Sequence, residues 1–289
     1  MYIAINTGIA KTLISGFTSY DLSSEVFSTE FSTNPFYEQQ IEKIQQVIKE
    51  NVSEEIQAIG IAHTGDVDPE GKVIVSSSYT VDYVKRNITT DLQKYFPTTS
   101  MYIENDSVCA TISEVYFGEA KEYTTVGLMY LSAGVGGAFL KKVNNVYSIF
   151  QAELGHQIIE LNGKTCVCGQ RGCLEAYVGG ESVKRRFLME QKEIIDERIL
   201  KEITKSIAVG AANFYVMFYP EVLVLAGEML EEVPYIKEHV INKIREEIFW
   251  EPDKNLPIIL SKFGKKSPLY GALALTKIKE GGNSIQAIY

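Results

Sequence analysis

The chain has 289 residues, 45% hydrophobic and 22% charged, the composition of a folded globular protein rather than a disordered or fibrous one. That length suits two domains, each with its own core. The formal net charge of −9 argues against a nucleic-acid partner, whose surface needs clustered Lys and Arg; the densest basic run, Lys184-Arg185-Arg186, is short and precedes an acidic stretch, as on a solvated helix face.

Residues 2–7 and 11–18 read as two strands about a turn at Gly8, and 25–32 as a third, alternating strand. Residues 35–51 have helical spacing, with Ile41, Ile44, Val47 and Ile48 on one face, and 56–62 is a short buried strand. Strands, helix and strand make an α/β unit. Gly65 and residues 66–71 predict a turn-rich loop, before a short extended run at 73–75. Residues 100–103 form another strand with Glu104-Asn105-Asp106 at its end, and 105–117 a helix. Residues 126–131 and 137–142 repeat the strand–turn–strand opening, with Gly134, Gly136 and Gly137 in the turn. A long amphipathic helix at 197–219 stops at Pro220. A buried strand (221–226), a helix (233–249) and a strand (257–261) follow. The final helix, 267–280, has Ser267 as N-cap and Pro268 at its first position.

The repeated opening suggests two similar α/β lobes facing each other across a cleft. The expected division is 1–105, completed by the C-terminal helix 268–289, and 106–267. Ligands of open α/β sheets sit beyond the carboxyl ends of strands. The opening residues lack a basic stretch and a long apolar run, so no leader peptide is expected. The longest apolar segment, 207–219, contains Asn213 and is too short to span a bilayer. A cytoplasmic protein with reduced thiols and no membrane partner is the expectation.

The densest chemistry lies in Glu153-Leu154-Gly155-His156 and Cys166-Val167-Cys168-Gly169-Gln170-Arg171-Gly172-Cys173-Leu174-Glu175. Three thiolates and one imidazole, from His156, Cys166, Cys168 and Cys173, make a closed tetrahedral site for a structural zinc ion. A Cys-x-Cys pair is too close for easy disulfide bridging. Gly169 and Gly172 suit the tight turns of such a knuckle. Cys109, alone in a predicted helix, reads as a buried small hydrophobe.

This segment resembles the signature of the ROK family of bacterial sugar kinases and sugar-responsive repressors: Glu-x-Gly-His, then Cys-x-Cys-Gly-x-x-Gly-Cys-x-Glu. Every fixed position is met here, and the resemblance runs the length of the chain. It implies an α/β, two-lobed actin/hexokinase-like (ribonuclease H-like) fold with a zinc knuckle at 156–173, a small-molecule sugar as ligand, and a homodimer. It also implies that the Glu104-Asn105-Asp106 corner holds the sugar, with Asp106 as general base. A sugar hydroxyl is a weak nucleophile, so a carboxylate must take its proton as it attacks phosphorus. Read from spacing alone, Asn105 or Asp106 equally serves as N-cap of the next helix. The resemblance adds Glu153, His156 and Glu175 as sugar contacts, and places Ser78 where the family usually has Asn. His63, near that loop, reads as structural.

On the nucleotide side the resemblance assigns Asn6, Gly8 and Lys11 to a first phosphate loop, Gly134, Gly136 and Gly137 to a second, and Gly227 to the adenosine end, for ATP and Mg2+. Here the chain departs from the family. Asn6 stands for an Asp that helps hold hydrated magnesium, Ile9 for a glycine, and Ala10 and Ala133 for hydroxyl residues. Glu228 stands where a family glycine lies near the adenosine. Each lost hydrogen bond to a charged phosphate is worth roughly 1.5–3 kcal/mol. Two functions follow: an ATP-dependent sugar kinase of reduced activity, or a non-catalytic sugar-binding sensor or regulator on the same fold. The repressor branch carries a helix-turn-helix ahead of its first phosphate loop. Here that loop begins at Asn6, so a kinase-type chain without a DNA-binding domain is expected.

Overall fold

The computed structural model describes residues 1–68, 70–77, 79–144, 146–248, 255–281 and 284–288. In chain order the elements are β1 (Tyr2–Thr7), β2 (Lys11–Phe17), β3 (Glu25–Ser32), α1 (Tyr37–Asn51), β4 (Ala58–His63), β5 (Gly65–Val67), β6 (Val73–Ser76), α2 (Ile88–Gln93), β7 (Ser100–Asn105) and α3 (Asp106–Tyr116). Then come β8 (Thr125–Leu131), β9 (Val135–Val143), β10 (Val146–Ala152), α4 (Glu175–Val178), α5 (Gly180–Phe187), α6 (Glu197–Phe218), β11 (Val222–Ala226), α7 (Met229–Glu232), α8 (Pro234–Glu247), β12 (Ile258–Leu260), α9 (Ser267–Glu280) and β13 (Ser284–Ile288). Two compact units result, Met1–Tyr116 with Pro268–Ile285, and Phe117–Ser267 with the chain from Gln286 onward.

The first unit is built on a five-stranded sheet in the order β3-β2-β1-β4-β7. β1 pairs with β2, and β2 with β3, antiparallel; β1 with β4, and β4 with β7, run parallel. The interior strand β4 is buried along its whole length, as a parallel strand covered on both faces must be, whereas edge strand β3 alternates in exposure. Helix α1 buries Tyr37, Ile41, Ile44, Val47 and Ile48 in one cluster with Ile3, Ile5, Ile14, Ile59 and Ile61. Helix α9 comes within backbone distance of the elements beside it. A Cβ at Gly271 would lie 1.7 Å from Cys109 O, and one at Gly60 2.0 Å from Ala272 O. Cys109 is fully buried in α3.

The second unit carries a six-stranded sheet in the order β12-β11-β8-β9-β10-β13. β8, β9 and β10 form an antiparallel meander, and β11 runs parallel to β8 and to β12. The meander with two parallel strands on its first member repeats the topology of the first unit. The core gathers α6 and α8 through Ile203, Ile207, Ala211, Phe214, Ile236, Val240 and Ile244.

Several elements depart from the sequence reading. Helix α3 belongs to the first unit, so the division falls after Tyr116 rather than at 105/106. Residues 284–288 are not helix but strand β13 of the second sheet. The loop expected at 66–71 begins as strand β5, paired antiparallel with β6 through a bulge at Asp66/Val67. Gly65 permits this hairpin: it has φ +122, and a Cβ there would meet Val75 O at 2.2 Å. Gly136 and Gly137 lie inside β9 rather than in the turn. A Cβ at Gly137 would strike Leu154 Cδ1 at 2.2 Å. Of the helix expected at 233–249, position 249 lies outside the described residues. No helix among the described residues is long and apolar enough to cross a membrane.

Candidate functional site

In the first unit, parallel strands β4 and β7 end side by side. Their register pairs His63 with Asn105, which sets Thr64 and Asp106 at the next level. Asn105 is the N-cap of α3. Its Oδ1 accepts from the N–H groups of Ser107 (2.8 Å) and Val108 (3.3 Å), and its Nδ2 donates to Gly65 O at 3.0 Å. Both ends of the amide are therefore engaged within the fold, and the residue is 6% exposed. Asp106 is half-buried in the first turn of α3. There the unpaired N–H groups of the helix favour a negative charge. Thr64 Oγ1 donates to its Oδ2 at 2.6 Å, and Ser107 Oγ lies 3.3 Å from its Oδ1.

Neighbouring groups are buried. His63 stacks on Tyr83 with ring centroids 5.9 Å apart, and its Nδ1 is 2.8 Å from Thr7 Oγ1. Its Nε2 is buried without a hydrogen-bond partner. Burial pushes its pKa down to about 4, so it is a neutral core group. Burial raises the carboxyl of Glu104 and the thiol of Cys109. Ser78 lies outside the described residues.

The first glycine turn, between β1 and β2, is closed on itself. Gly8 N–H donates to Lys11 O at 3.0 Å, and Thr33 Oγ1 donates to Gly8 O at 2.8 Å. Asn6 is 7% exposed, and its buried Oδ1 has no hydrogen-bond partner. Lys11 forms an ion pair with Glu30. Asn6 thus offers an acceptor but no negative charge at this turn, and position 10 brings no hydroxyl. These residues match a hydrated magnesium ion poorly.

In the second unit, the turn between β8 and β9 is pinned by α4 and α5. Glu175 Oε2 accepts from Val135 N–H at 2.9 Å, and Gly180 and Glu181 donate to the carbonyls of Ser132 and Ala133 at 2.9 and 3.0 Å. A Cβ at Gly134 would sit 2.8 Å from Glu175 Oε2, so the glycine lets the carboxylate approach. Glu175 is therefore tied to the second glycine turn. Gly227, φ +108, packs where a Cβ would be 2.1 Å from Leu131 O.

His156, Cys166, Cys168 and Cys173 come together, their ligand atoms all within 4.8 Å of one another. Cys166 Sγ is 3.7 Å from His156 Nδ1, and Cys168 Sγ is 3.7 Å from Cys173 Sγ. A tetrahedron with ~2.3 Å metal–sulfur bonds has edges of about 3.8 Å. The cluster could therefore hold a metal ion with little movement. Burial, then the neighbouring thiols, pushes Cys173 up to about 12. Burial also raises Cys166, whereas at Cys168 the Gln170 amide and neighbouring thiols outweigh burial and lower the thiol. Crowded thiols resist ionising together, and a bound cation reverses that penalty. The knuckle turns at Gly172, φ +84, where a Cβ would meet Glu160 O at 1.8 Å. Glu153 is exposed, with its Oε2 3.9 Å from His156 Nε2, beyond hydrogen-bond reach.

Sequence reasoning missed Thr64. A single threonine in a loop carries no signal; only the pairing of β4 with β7 brings it to Asp106.

A two-sheet α/β protein with a polar corner at a strand end and a Cys3His knuckle defines the class. The pattern of the ROK family matches residues 2–279, and the chain belongs to that family. It is 24% identical over 231 residues to the xylose repressor of Bacillus spizizenii, covering 74% of this chain and 59% of the repressor. The chain thus spans little more than half the length of these repressors. It is 24% identical over 278 residues to the glucokinase of Thermotoga maritima, covering 84% of this chain and 86% of that protein. Among solved structures it resembles a ROK family glucokinase from Streptomyces griseus in complex with glucose and AMPPNP. The TM-score is 0.79 at 18% identity, covering 95% of this chain and 98% of the other. The ROK hexokinase of Thermus thermophilus gives a TM-score of 0.75 at 21% identity, covering 97% and 99%.

Proposed function

We propose that the protein is an ATP-dependent sugar kinase of reduced activity, phosphorylating a hydroxyl of a hexose or N-acetylhexosamine with Asp106 as general base. The observation that carries this reading is the Asp106 carboxylate: half-buried, at the end of a parallel strand, in a helix first turn, and held through Oδ2 by Thr64. In the transfer the sugar oxygen bonds to the γ-phosphorus, the bond from that phosphorus to the bridging oxygen of ADP breaks, and the hydroxyl proton passes to Asp106. Asn105, Glu153, His156, Glu175 and Ser78 are assigned to sugar recognition. For Asn105 that role comes on top of capping α3, and for Glu175 on top of holding the second glycine turn.

The Cys/His cluster is assigned to zinc. The ligand set and the 3.7 Å separations support this. Bound there, the ion supplies structural rigidity to the segment that carries Glu153 and Glu175. A homodimer in the cytoplasm belongs to the same reading.

A second reading, a non-catalytic sugar-binding sensor or regulator, is favoured by the nucleotide side. There Asn6, Ala10 and Ala133 replace the phosphate-facing groups, and Lys11 is paired with Glu30. One experiment separates the two: ADP release measured across a sugar panel, beside sugar binding by calorimetry, for the wild type and Asp106→Asn. The kinase reading expects sugar-dependent turnover that Asp106→Asn abolishes while weakening binding only modestly. Tight sugar binding with no turnover supports the second reading. Full turnover in Asp106→Asn removes Asp106 as the base.

A further inference from the structure

Asp106 does not stand alone at the end of β7. The register of β4 against β7, with His63 opposite Asn105, brings the Thr64-Gly65 corner against the Asn105-Asp106 corner. Two hydrogen bonds join them: Thr64 Oγ1 to Asp106 Oδ2 at 2.6 Å, and Asn105 Nδ2 to Gly65 O at 3.0 Å. Thr64 is itself held, since its N–H donates to Thr7 O at 3.2 Å. The next residue is locked by the β5–β6 hairpin, where a Cβ at Gly65 would lie 2.2 Å from Val75 O. A hydroxyl on so constrained a backbone is a pre-positioned donor, and a β-branched side chain has few χ1 rotamers in which to leave.

We propose that Thr64 is a positioning residue for Asp106: its hydroxyl fixes the carboxylate through Oδ2 and favours its ionised form, so that the base is aligned before the sugar arrives. This rests on the reading of Asp106 as the base. A hydrogen bond donated to a carboxylate stabilises the charged over the protonated form. A carboxylate accepts at several lone pairs, so the bonds from Thr64 and Ser107 do not by themselves fill it. Charged and titratable groups on the elements around this corner include Glu104 on β7, Cys109 on α3, His63 on β4 and Asp66 on β5, with Lys279 of α9 acting on Glu104. His63 is neutral across the working range, and Cys109 is held protonated by burial and by Glu104 and Asp106. The hydroxyl of Thr64 is thus a neutral donor to Asp106 close to the acidic Glu104.

The test compares Thr64→Val, which keeps the shape and removes the hydroxyl, with Thr64→Ser, which keeps the hydroxyl. Both are read by the pH profile of kcat/KM and by the titration of the Asp106 carboxyl carbon in NMR, assigned with Asp106→Asn. The valine variant is expected to move the acid limb, and the Asp106 titration, upward by about one pH unit. Turnover below the limb then falls about tenfold, while at high pH, with the carboxylate fully ionised, KM for the sugar holds. Serine restores both. An unmoved titration in a folded Thr64→Val protein overturns the proposal. If the wild type shows no turnover, the kinase reading fails, yet the NMR titration still decides whether Thr64 governs Asp106. If the titration moves but the acid limb does not, Thr64 holds a carboxylate that is not the base, and the proposal fails at its second half.

Discussion

Asn105 offers a direct measure of how the polar corner is built. In Asn105→Ala the N–H groups of Ser107 and Val108 lose their acceptor at 2.8 and 3.3 Å, and Gly65 O loses its donor at 3.0 Å. Loss of a helix cap costs ~1–2 kcal/mol. A part-buried carbonyl left without a donor adds about 1 kcal/mol. The first unit is therefore expected to lose roughly 2–3 kcal/mol, or about 6–9 °C in Tm for a domain of this size. Urea titration followed by circular dichroism measures it. Asn105→Asp is the control. It keeps an acceptor, and a negative charge, at the start of α3, but turns a carboxylate oxygen toward Gly65 O and sets a second charge beside Asp106. It should recover about half of the loss. A change below about 0.5 kcal/mol in Asn105→Ala would refute the assignment of this side chain as the cap that holds the corner.

Purified without chelator, the protein is expected to contain one zinc ion per chain. Cys168 is the exposed ligand, so Cys168→Ser should lose the metal with little disturbance of the core; elemental analysis showing no zinc in the wild type ends that assignment. The triple change Asn6→Asp, Ala10→Thr, Ala133→Thr restores one carboxylate and two hydroxyls to the phosphate loops. ATP affinity or sugar-dependent turnover should rise at least tenfold, about 1.4 kcal/mol, as read by coupled ADP release. No gain in a folded protein would place the defect elsewhere. His63 links stability to pH. Its pKa is depressed from 6.5 to about 4, so the unfolded chain binds the proton first. Its contribution is complete above pH 6.5 and is lost as pH falls toward 4, up to about 3 kcal/mol. Urea titrations at pH 7 and pH 4.5 should show a steeper loss in the wild type than in His63→Gln; equal slopes would show that His63 is protonated in the fold.

The elements legible in the sequence are those whose signal is local. Strand β1, helices α1 and α6 and the buried run of β4 each carry their periodicity within one stretch of chain. The Cys3His cluster is legible too, because its ligands sit close together in the chain and their chemistry admits few alternatives. The departures at Asn6, Ala10 and Ala133 are sequence facts that no folding alters. Strands β5 and β13 were not visible, because short strands take their hydrogen bonds from distant partners and show little pattern of their own, and β10 mixes exposed and half-buried positions without clean alternation. The choice at Asn105 between cap and ligand also needed the fold, since only there does its amide find Gly65 O. Thr64 and Asp106 are 42 residues apart and meet because β4 and β7 lie parallel in one register. A shift of one residue in that pairing would turn the hydroxyl to the other face of the sheet, and register is settled by burial across the whole sheet rather than by any residue near the site.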